Sequence, residues 1–278
     1  METIKVNSKN SNRAFTLVEL LVVISIIAIL LAVLMPSLNK ARQQARIVVD
    51  GSNQHQITLA VLAYTAANQN KLPPSVQGYI SSAGKTVWTL PCRLNYYPTG
   101  GSVKSSLNGG SVGKILGSYI KTPKVFMTPL FADQMEGREK EFFEGNYDDK
   151  HNYLNSSYWL LWNYANTNID FEGACNDNKA KLLVAGVLLY GDAEWAKLSW
   201  MSGYDYSGAT KFYSDRAGMW WKKTDTKYNY MKDSPLNITM NAGYRDGHVK
   251  KYNSVKETKE IVAASSSGDS IYYLPATE

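Results

Sequence analysis

One long apolar segment dominates the N-terminal part of the chain. Residues Phe15–Met35 contain a single charged side chain, Glu19, and follow a polar leader in which Lys and Arg outnumber Glu. At about 1.5 Å per residue, a helix of this length crosses the roughly 30 Å hydrocarbon core of a bilayer. Positive charge favours the cytoplasmic side, so the pattern predicts a transmembrane helix with the following residues outside the cytoplasm. The alternatives are a plain uncleaved anchor and a secretory signal cut near Ala41.

An amphipathic pattern follows Pro36, which removes one backbone hydrogen bond and favours a kink or local melting. Apolar or small residues recur every three or four positions, which is the spacing of one helix face. We expect the helix to continue to about Asn70 and to pack this stripe on a globular head, with a free coiled coil as the alternative. The predicted stripe consists of Ala41, Ala45, Val48, Ser52, His55, Leu59, Leu62 and Ala66.

From Ser75 onward, short apolar runs alternate with turn residues, which is typical of strands joined by loops. Asp246-Gly247 is a two-residue hairpin signal. Short helices are expected over Gly113–Ile120 and, exposed to solvent, over Glu136–Glu144. The pattern predicts an α+β fold, in which the N-terminal helix packs on an antiparallel β-sheet. The predicted strands are Thr86–Leu90, Ser157–Tyr164, Leu182–Tyr190, Ile238–Tyr244 and His248–Tyr252.

These patterns divide the chain into four segments. They are a leader at 1–14, a transmembrane helix at 15–35, its amphipathic continuation at 36–70 and the head at 71–278. With 44% hydrophobic and 19% charged residues, the composition differs from that of a disordered chain. The net charge is +6, but the basic residues are scattered, so the charge does not indicate nucleic acid as a partner.

The sequence contains no recognisable catalytic constellation, so we do not expect an enzyme. Neither a phosphate-binding Gly loop nor a nucleophile elbow is present, and the histidines and cysteines lack zinc spacing. Asp246 and His248 suggest an acid–base pair, but turn formation explains them better. Outside the cytoplasm a disulfide between Cys92 and Cys175 is permitted, and two separate buried thiols are the alternative.

One segment suggests a calcium ligand set. Asn168, Asp170 and Glu172 alternate before Gly173, as oxygen ligands do at the start of a calcium loop. The twelfth position is Lys179 rather than Glu, which excludes an EF-hand. A simpler calcium-clamped loop and an ordinary polar turn are the two hypotheses; no other cofactor is predicted.

Glu19 gives the most specific indication of function. A carboxylate in a lipid-facing helix costs about 2.5–3.5 kcal/mol, which makes a functional role the default hypothesis. Its setting, Arg13-Ala14-Phe15-Thr16-Leu17-Val18-Glu19-Leu20-Leu21, resembles the class III signal of type IV pilins and type II secretion pseudopilins. The resemblance implies that a prepilin peptidase cuts between Ala14 and Phe15 and N-methylates Phe15. Ala14 stands where the family usually has Gly.

The resemblance also implies a structural role in a type IV pilus or a secretion pseudopilus. Cleavage would expose the Phe15 amine. We expect this amine of an incoming subunit and the Glu19 carboxylate of its neighbour to neutralise each other in lipid, which favours an axial offset of one subunit. Pro36 matches the Pro at which many pilin helices bend. The implied location is the inner membrane, single pass, with the head in the periplasm or outside the cell. The implied partners are prepilin peptidase, copies of this chain, other pilins or pseudopilins, and the inner-membrane assembly platform.

Two further motifs resemble a large set of bacterial prepilin-type cleavage/methylation proteins. They are Leu72-Pro73-Pro74 and Asp246-Gly247-His248-Val249, the latter similar to an Asp-Gly-His-Val ending. That set often has Cys-Pro where this chain has Thr128-Pro129, so a disulfide implied there is absent. An alternative function is a surface-displayed head that binds polysaccharide through stacked aromatic residues, for which the candidates are Trp195, Trp200, Trp220 and Trp221.

Overall fold

The computed structural model describes thirteen stretches of the chain. They are residues 16–76, 78–88, 92–96, 103–106, 110–129, 132–145, 153–163, 182–185, 188–190, 219–220, 239–252, 257–263 and 270–275. The chain divides into two compact units, residues 1–45 and residues 46–278. The first helix has residues in both units.

The described elements are helices and antiparallel strands. The helices are α1 (Leu17–Ala67), α2 (Val112–Leu116) and α3 (Glu139–Glu144), with short 3-10 helices at Pro123–Phe126 and Ala132–Met135. The strands are β1 (Gly78–Ser81), β2 (Thr86–Trp88), β3 (Arg93–Tyr96), β4 (Val103–Ser106), β5 (Tyr153–Asn155), β6 (Trp159–Leu160), β7 (Leu182–Ala185), β8 (Leu188–Tyr190), β9 (Met219–Trp220), β10 (Thr239–Tyr244), β11 (Val249–Tyr252), β12 (Thr258–Ala263) and β13 (Ser270–Pro275).

The strands form antiparallel sheets, and the predicted α+β class is confirmed. The sheet orders are β2-β1-β4, β12-β13-β8, β3-β5 and β11-β10-β7-β6, with β9 also paired to β10. The last sheet lies against α1, and the main core forms around Ile57 and Val61 of that helix. Leu160, Leu183 and Val184 supply the sheet side of this core.

Helix α1 follows the predicted course with one difference at its end. It is helical through Pro36, so the local melting considered for that residue does not occur in the structure. It ends at Ala67 rather than near Asn70. Gln69 and Asn70 have positive φ angles of 54° and 64°, which a right-handed helix does not accept.

The predicted packing face of α1 is wrong. From Val48 to Ala66 the predicted stripe is exposed, except for the half-buried Leu62. We call its exposed residues Val48, Ser52, His55 and Leu59 the outer stripe. The face that packs on the head is nearly opposite and is called the inner stripe: Ile47, Asp50, Gln54, Ile57, Thr58, Ala60, Val61 and Thr65. The sequence pattern missed this face because half of its residues are polar and interrupt the apolar spacing.

Glycines allow the inner stripe to approach the sheet closely. A Cβ on Gly243 of β10 would collide with the Thr58 Oγ1 atom and would lie 2.9 Å from Val184 Cγ1. At Gly51 of α1, a Cβ would lie 3.4 Å from the Asn241 amide nitrogen. Strand β10 therefore packs directly against α1, with almost no space between Gly243 and Thr58.

The predicted hairpin between β10 and β11 forms, but its turn is longer by one residue. The Gly247 N–H donates to the Tyr244 carbonyl, and the Tyr244 N–H donates to the His248 carbonyl. This pattern encloses a three-residue loop rather than a two-residue one. Gly247 has a φ of 95°, the left-handed conformation that such loops require at their last position.

Two predicted strands are shorter than expected. The run Leu182–Tyr190 forms two strands, because β7 pairs with β10 and β6, whereas β8 pairs with β13. All four β7 residues are buried, so no alternation of polar and apolar residues marks where the strand ends. Within Ser157–Tyr164 only β6 is a strand, because Asn163 has a φ of 51°; Tyr164 lies outside the described residues.

The two predicted short helices are also adjusted. Helix α2 spans Val112–Leu116 rather than Gly113–Ile120 and is capped by Ser111, whose hydroxyl accepts from the Lys114 N–H. Helix α3 begins later than predicted and is not simply exposed, because Phe142 is fully buried. Its ring packs 5.3 Å from that of Phe126, which anchors α3 to the core.

Candidate functional site at the start of the first helix

The start of α1 is organised by a reciprocal contact between Thr16 and Glu19. The Thr16 N–H and hydroxyl both donate to Glu19 Oε2, each at 2.8 Å. The Glu19 N–H donates back to Thr16 Oγ1 at 3.2 Å. This is a capping box, in which two otherwise unpaired helix N–H groups obtain partners. The Glu19 carboxylate is thus held beside the first helical turn.

An apolar surface follows directly after Glu19. Every large apolar side chain from Leu17 to Leu38 is at least 45% exposed in this structure. The helix is long and apolar enough to cross a membrane, with a mean hydropathy of 3.2 in its most apolar window. Exposed apolar area of this extent marks a surface that contacts lipid or other proteins.

The few polar side chains in this segment bond within the helix itself. The Ser25 hydroxyl donates to the Leu21 carbonyl at 2.7 Å, and the Ser37 hydroxyl donates to the Leu34 carbonyl at 2.8 Å. Internal satisfaction of polar groups is a requirement for a helix in lipid. Glu19 has the single charged side chain in the segment Thr16–Leu38.

Comparison with known proteins identifies this segment. Residues 9–35 match the family described as the prokaryotic N-terminal methylation motif. This motif is the prepilin-type signal of type IV pilins and pseudopilins, and it supports the interpretation of the chain as a pilin-like substrate of prepilin peptidase. No curated protein and no solved structure matches the chain. The resemblance read from Arg13 to Leu21 is confirmed, and the predicted membrane anchor agrees with it.

Several predicted site residues lie outside the described residues. They are Ala14 and Phe15 at the cut site, Asn168, Asp170 and Glu172 of the calcium hypothesis, and Cys175. Cleavage, methylation, calcium binding and disulfide formation therefore stay predictions. Of the four tryptophans considered for polysaccharide binding, only Trp220 lies in a described element, strand β9. Among the described residues, no group of three or more His, Cys, Asp or Glu is placed to hold a metal ion.

Cys92 is a buried, free thiol next to β3. Its burial raises the pKa of the thiol to about 11, although the neighbouring Arg93 charge opposes the shift. A thiol of this kind is protonated at neutral pH and reacts slowly. The structure is compatible with the buried-thiol alternative for this residue.

Asp246 and His248 do contact each other at the β10–β11 turn. Asp246 Oδ1 accepts from the His248 N–H at 3.1 Å and lies 2.5 Å from His248 Nδ1. These hydrogen bonds lower the pKa of Asp246. The His248 ring also stacks on Tyr244, with centroids 4.5 Å apart. Both side chains are largely exposed, and the contact fixes the turn, as the turn interpretation predicts.

Sequence reasoning missed a buried polar contact between α1 and the head. The Tyr158 hydroxyl donates to Asp50 Oδ1 at 2.6 Å, and both residues are fully buried. Burial and the Asp50 charge raise the pKa of Tyr158 well above its usual value. Asp50 falls within a helix segment of mixed pattern, so no local signal in the sequence indicates that its carboxylate is buried.

Proposed function

We propose that this chain is a structural subunit of a type IV pilus-like or type II secretion pseudopilus filament, with no enzymatic activity. Prepilin peptidase processes it between Ala14 and Phe15, and its N-terminal helix then packs among those of other subunits. One observation carries the proposal. A single carboxylate, Glu19, stands at the start of an otherwise uncharged apolar helix surface and is held there by Thr16.

The Thr16 contacts suggest how Glu19 acts before and during assembly. In the membrane the two Thr16 donors reduce the free-energy cost of burying the carboxylate. They bring no positive charge, however, so the carboxylate attracts a cation. The methylated Phe15 amine of an arriving subunit is such a cation, and its own burial is costly without a partner. Pairing of the two groups favours one axial offset between neighbouring helices.

The first experiment determines the mature N-terminus. The full-length chain is expressed with its native machinery, and the membrane form is analysed by peptide mass spectrometry. We expect an N-terminal peptide that begins at Phe15 and carries one added methyl group. The variant Ala14→Gly serves as the control, because it restores the residue usual before the cut. Any other mature N-terminus contradicts the proposal.

The second experiment tests the role of Glu19 in assembly. Glu19→Gln preserves the size of the side chain and removes its charge, so we expect normal processing but loss of the chain from sheared or cross-linked filaments. Glu139→Gln changes an exposed carboxylate on α3 and is expected to assemble normally. Undiminished incorporation of the Glu19→Gln chain refutes the register role. The proteins that co-purify with assembled subunits then identify the filament as pilus or pseudopilus.

The proposed role needs no cofactor. Calcium at Asn168, Asp170 and Glu172 is a separate hypothesis that titration calorimetry of the full chain in detergent tests. Heat release that disappears in Asp170→Asn supports the hypothesis, and the absence of binding excludes it.

A further inference from the structure

Between residues 46 and 67, helix α1 has two stripes that contain apolar residues, and only one of them packs on the head. At about 100° per residue, the inner and outer stripes lie on nearly opposite sides of the helix. The outer stripe has the regular spacing of an amphipathic helix. Nevertheless it stays in solvent, with Val48 71% and Leu59 48% exposed.

Hydrophobicity is only part of the reason that the inner stripe packs on the head. Ile47, Ile57 and Val61 supply its apolar area, but polar residues are buried between them. Asp50, Gln54 and Thr58 are fully buried on it, and Thr65 is nearly so. Burial of polar groups costs free energy unless they are hydrogen-bonded, and burial of a carboxylate costs several kcal/mol. Apolar area favours this face, but it does not account for the burial of the polar groups on it.

Directed hydrogen bonds distinguish the inner stripe and its edges from the outer stripe. The Tyr158 hydroxyl donates to Asp50, and it also lies 3.2 Å from the Met127 carbonyl. The Asn53 amide donates to the same carbonyl at 3.0 Å. The Asn241 amide of β10 donates to the Ile47 carbonyl at 3.1 Å. These contacts come from three separate parts of the head, and rotation of the helix would break all of them.

The surface of β10 imposes the same orientation by shape. Gly243 leaves room for Thr58 and for little else, because a Cβ at position 243 would already collide with the Thr58 hydroxyl. A larger residue brought to this place by rotation would overlap the strand backbone. Hydrogen bonds and shape therefore favour one and the same rotational setting.

We propose that the contacts of Asp50, Asn53 and Ile47 with Tyr158, Met127 and Asn241 form a face-selection device that keeps the outer stripe away from the head. Buried polar contacts are known to fix helix register at some cost in stability, and here they fix rotation. The inference goes beyond the filament role and does not depend on it. If filaments do form, the same device leaves the outer stripe available to neighbouring helices.

Cysteine labelling tests the proposal on the full-length chain in detergent. In a Cys92→Ala, Cys175→Ala background, Leu59→Cys reports on the outer stripe and Ala60→Cys, a position that is 4% exposed, reports on the buried side. We expect fast maleimide labelling at position 59 and slow labelling at position 60. In Tyr158→Phe, which leaves the Asp50 carboxylate buried without this hydroxyl donor, the ratio of the two rates is expected to fall about tenfold or more, since a hydrogen bond to a charged group is worth about 1.5–3 kcal/mol.

Matched variants separate face selection from general loss of stability. Tyr119→Phe removes the hydroxyl of an exposed tyrosine outside α1, so the labelling ratio is expected to stay at its original value. Asp50→Asn keeps an acceptor for Tyr158 and is expected to retain most of the ratio. If Tyr158→Phe does not melt cooperatively, Asn241→Leu replaces it, with a fall in the same direction expected. An unchanged ratio in a cooperatively folded variant overturns the proposal.

Discussion

Thr16 links the first turn of α1 to the charge of Glu19 with three hydrogen bonds. Two of them run to the carboxylate and one runs back to the threonine hydroxyl. Because the hydroxyl both donates and accepts, its removal affects the helix start and the carboxylate together. The Thr-x-x-Glu spacing is a sequence signature of such a box. Glu19 was predicted from its charge within the apolar segment, whereas its reciprocal capping contacts with Thr16 were not predicted.

The first prediction concerns the variant Thr16→Val, which keeps the shape of the side chain and removes its hydroxyl. Loss of a helix cap costs about 0.5–2 kcal/mol, so the amide protons of the first helical turn are expected to exchange roughly fivefold faster. Hydrogen exchange with mass spectrometry in detergent measures this. Thr16→Ser retains the hydroxyl and is expected to exchange at the original rate; equal rates for Val and Ser would refute the cap.

The second prediction concerns Cys92 at alkaline pH. Its pKa is raised from 9.0 to about 11, so the folded protein holds this proton more tightly than the unfolded chain. The resulting stability is complete below pH 9 and is lost as the pH rises towards 11, by about 2–3 kcal/mol in total. Urea unfolding at pH 8 and pH 10.5 measures the loss of stability in two proteins, Cys175→Ser and the double variant Cys92→Ser with Cys175→Ser. The difference between the two losses is the contribution of Cys92.

The double variant without Cys92 is the control. It is needed because Tyr158 also has a raised pKa and contributes to the loss of stability at alkaline pH in both proteins. A smaller loss in the chain without Cys92 is expected, and equal losses would contradict the assignment. Thiol counting of the unreduced wild-type chain in denaturant decides the disulfide question separately. Two reactive thiols would exclude a Cys92–Cys175 bond, and none would establish one.

At the scale of elements, the contact between α1 and β10 depends on Gly243, which has no side chain where the strand meets the helix. The third prediction is that Gly243→Ala destabilises the head by about 1–3 kcal/mol, because the new methyl group meets Thr58 and Val184 in a filled space. Thermal or urea unfolding of the full chain in detergent measures the change. A neutral effect would show that the helix and strand can separate at no cost.

Gly51→Ala is the matched control for this prediction. Its methyl group would meet the Asn241 side chain at 3.4 Å, an ordinary contact, and alanine is favoured over glycine in a helix by about 1 kcal/mol. We therefore expect no loss of stability, or a gain. The double variant Thr58→Ala with Gly243→Ala removes the colliding hydroxyl, so its effects are expected to be non-additive.

The orientation of α1 shows where element-level reasoning from sequence fails. The apolar spacing of Val48 and Leu59 correctly predicts a helix, but it assigns the wrong face to the head. The correct face depends on Tyr158, Met127 and Asn241, and Tyr158 alone is separated from Asp50 by 108 positions. Local periodicity contains no information about such partners. The order of strands in the sheets could not be predicted for the same reason. Strands β7 and β8 are neighbours in sequence but belong to different sheets.

At the scale of the whole molecule, the sequence is informative at one end and much less so at the other. The signal at 9–35 combines a predicted cut site, a charge and an apolar run within one continuous segment, so its identity requires no knowledge of the fold. The head is built from pairings between distant segments, such as β10 with β7 and β13 with β8. Its fold class could be predicted from alternating runs and turns, whereas its strand order could not.

The fit between Thr58 and Gly243 also limits how this sequence can change over generations. A Cβ at position 243 would collide with the Thr58 hydroxyl and crowd Val184, and a bulkier residue at position 58 requires a bare backbone opposite. In homologous chains that keep this helix on this strand, the two positions are expected to vary as a pair. A chain that has lost the glycine at position 243 is then expected to have alanine or glycine at position 58, although the two positions are far apart in sequence.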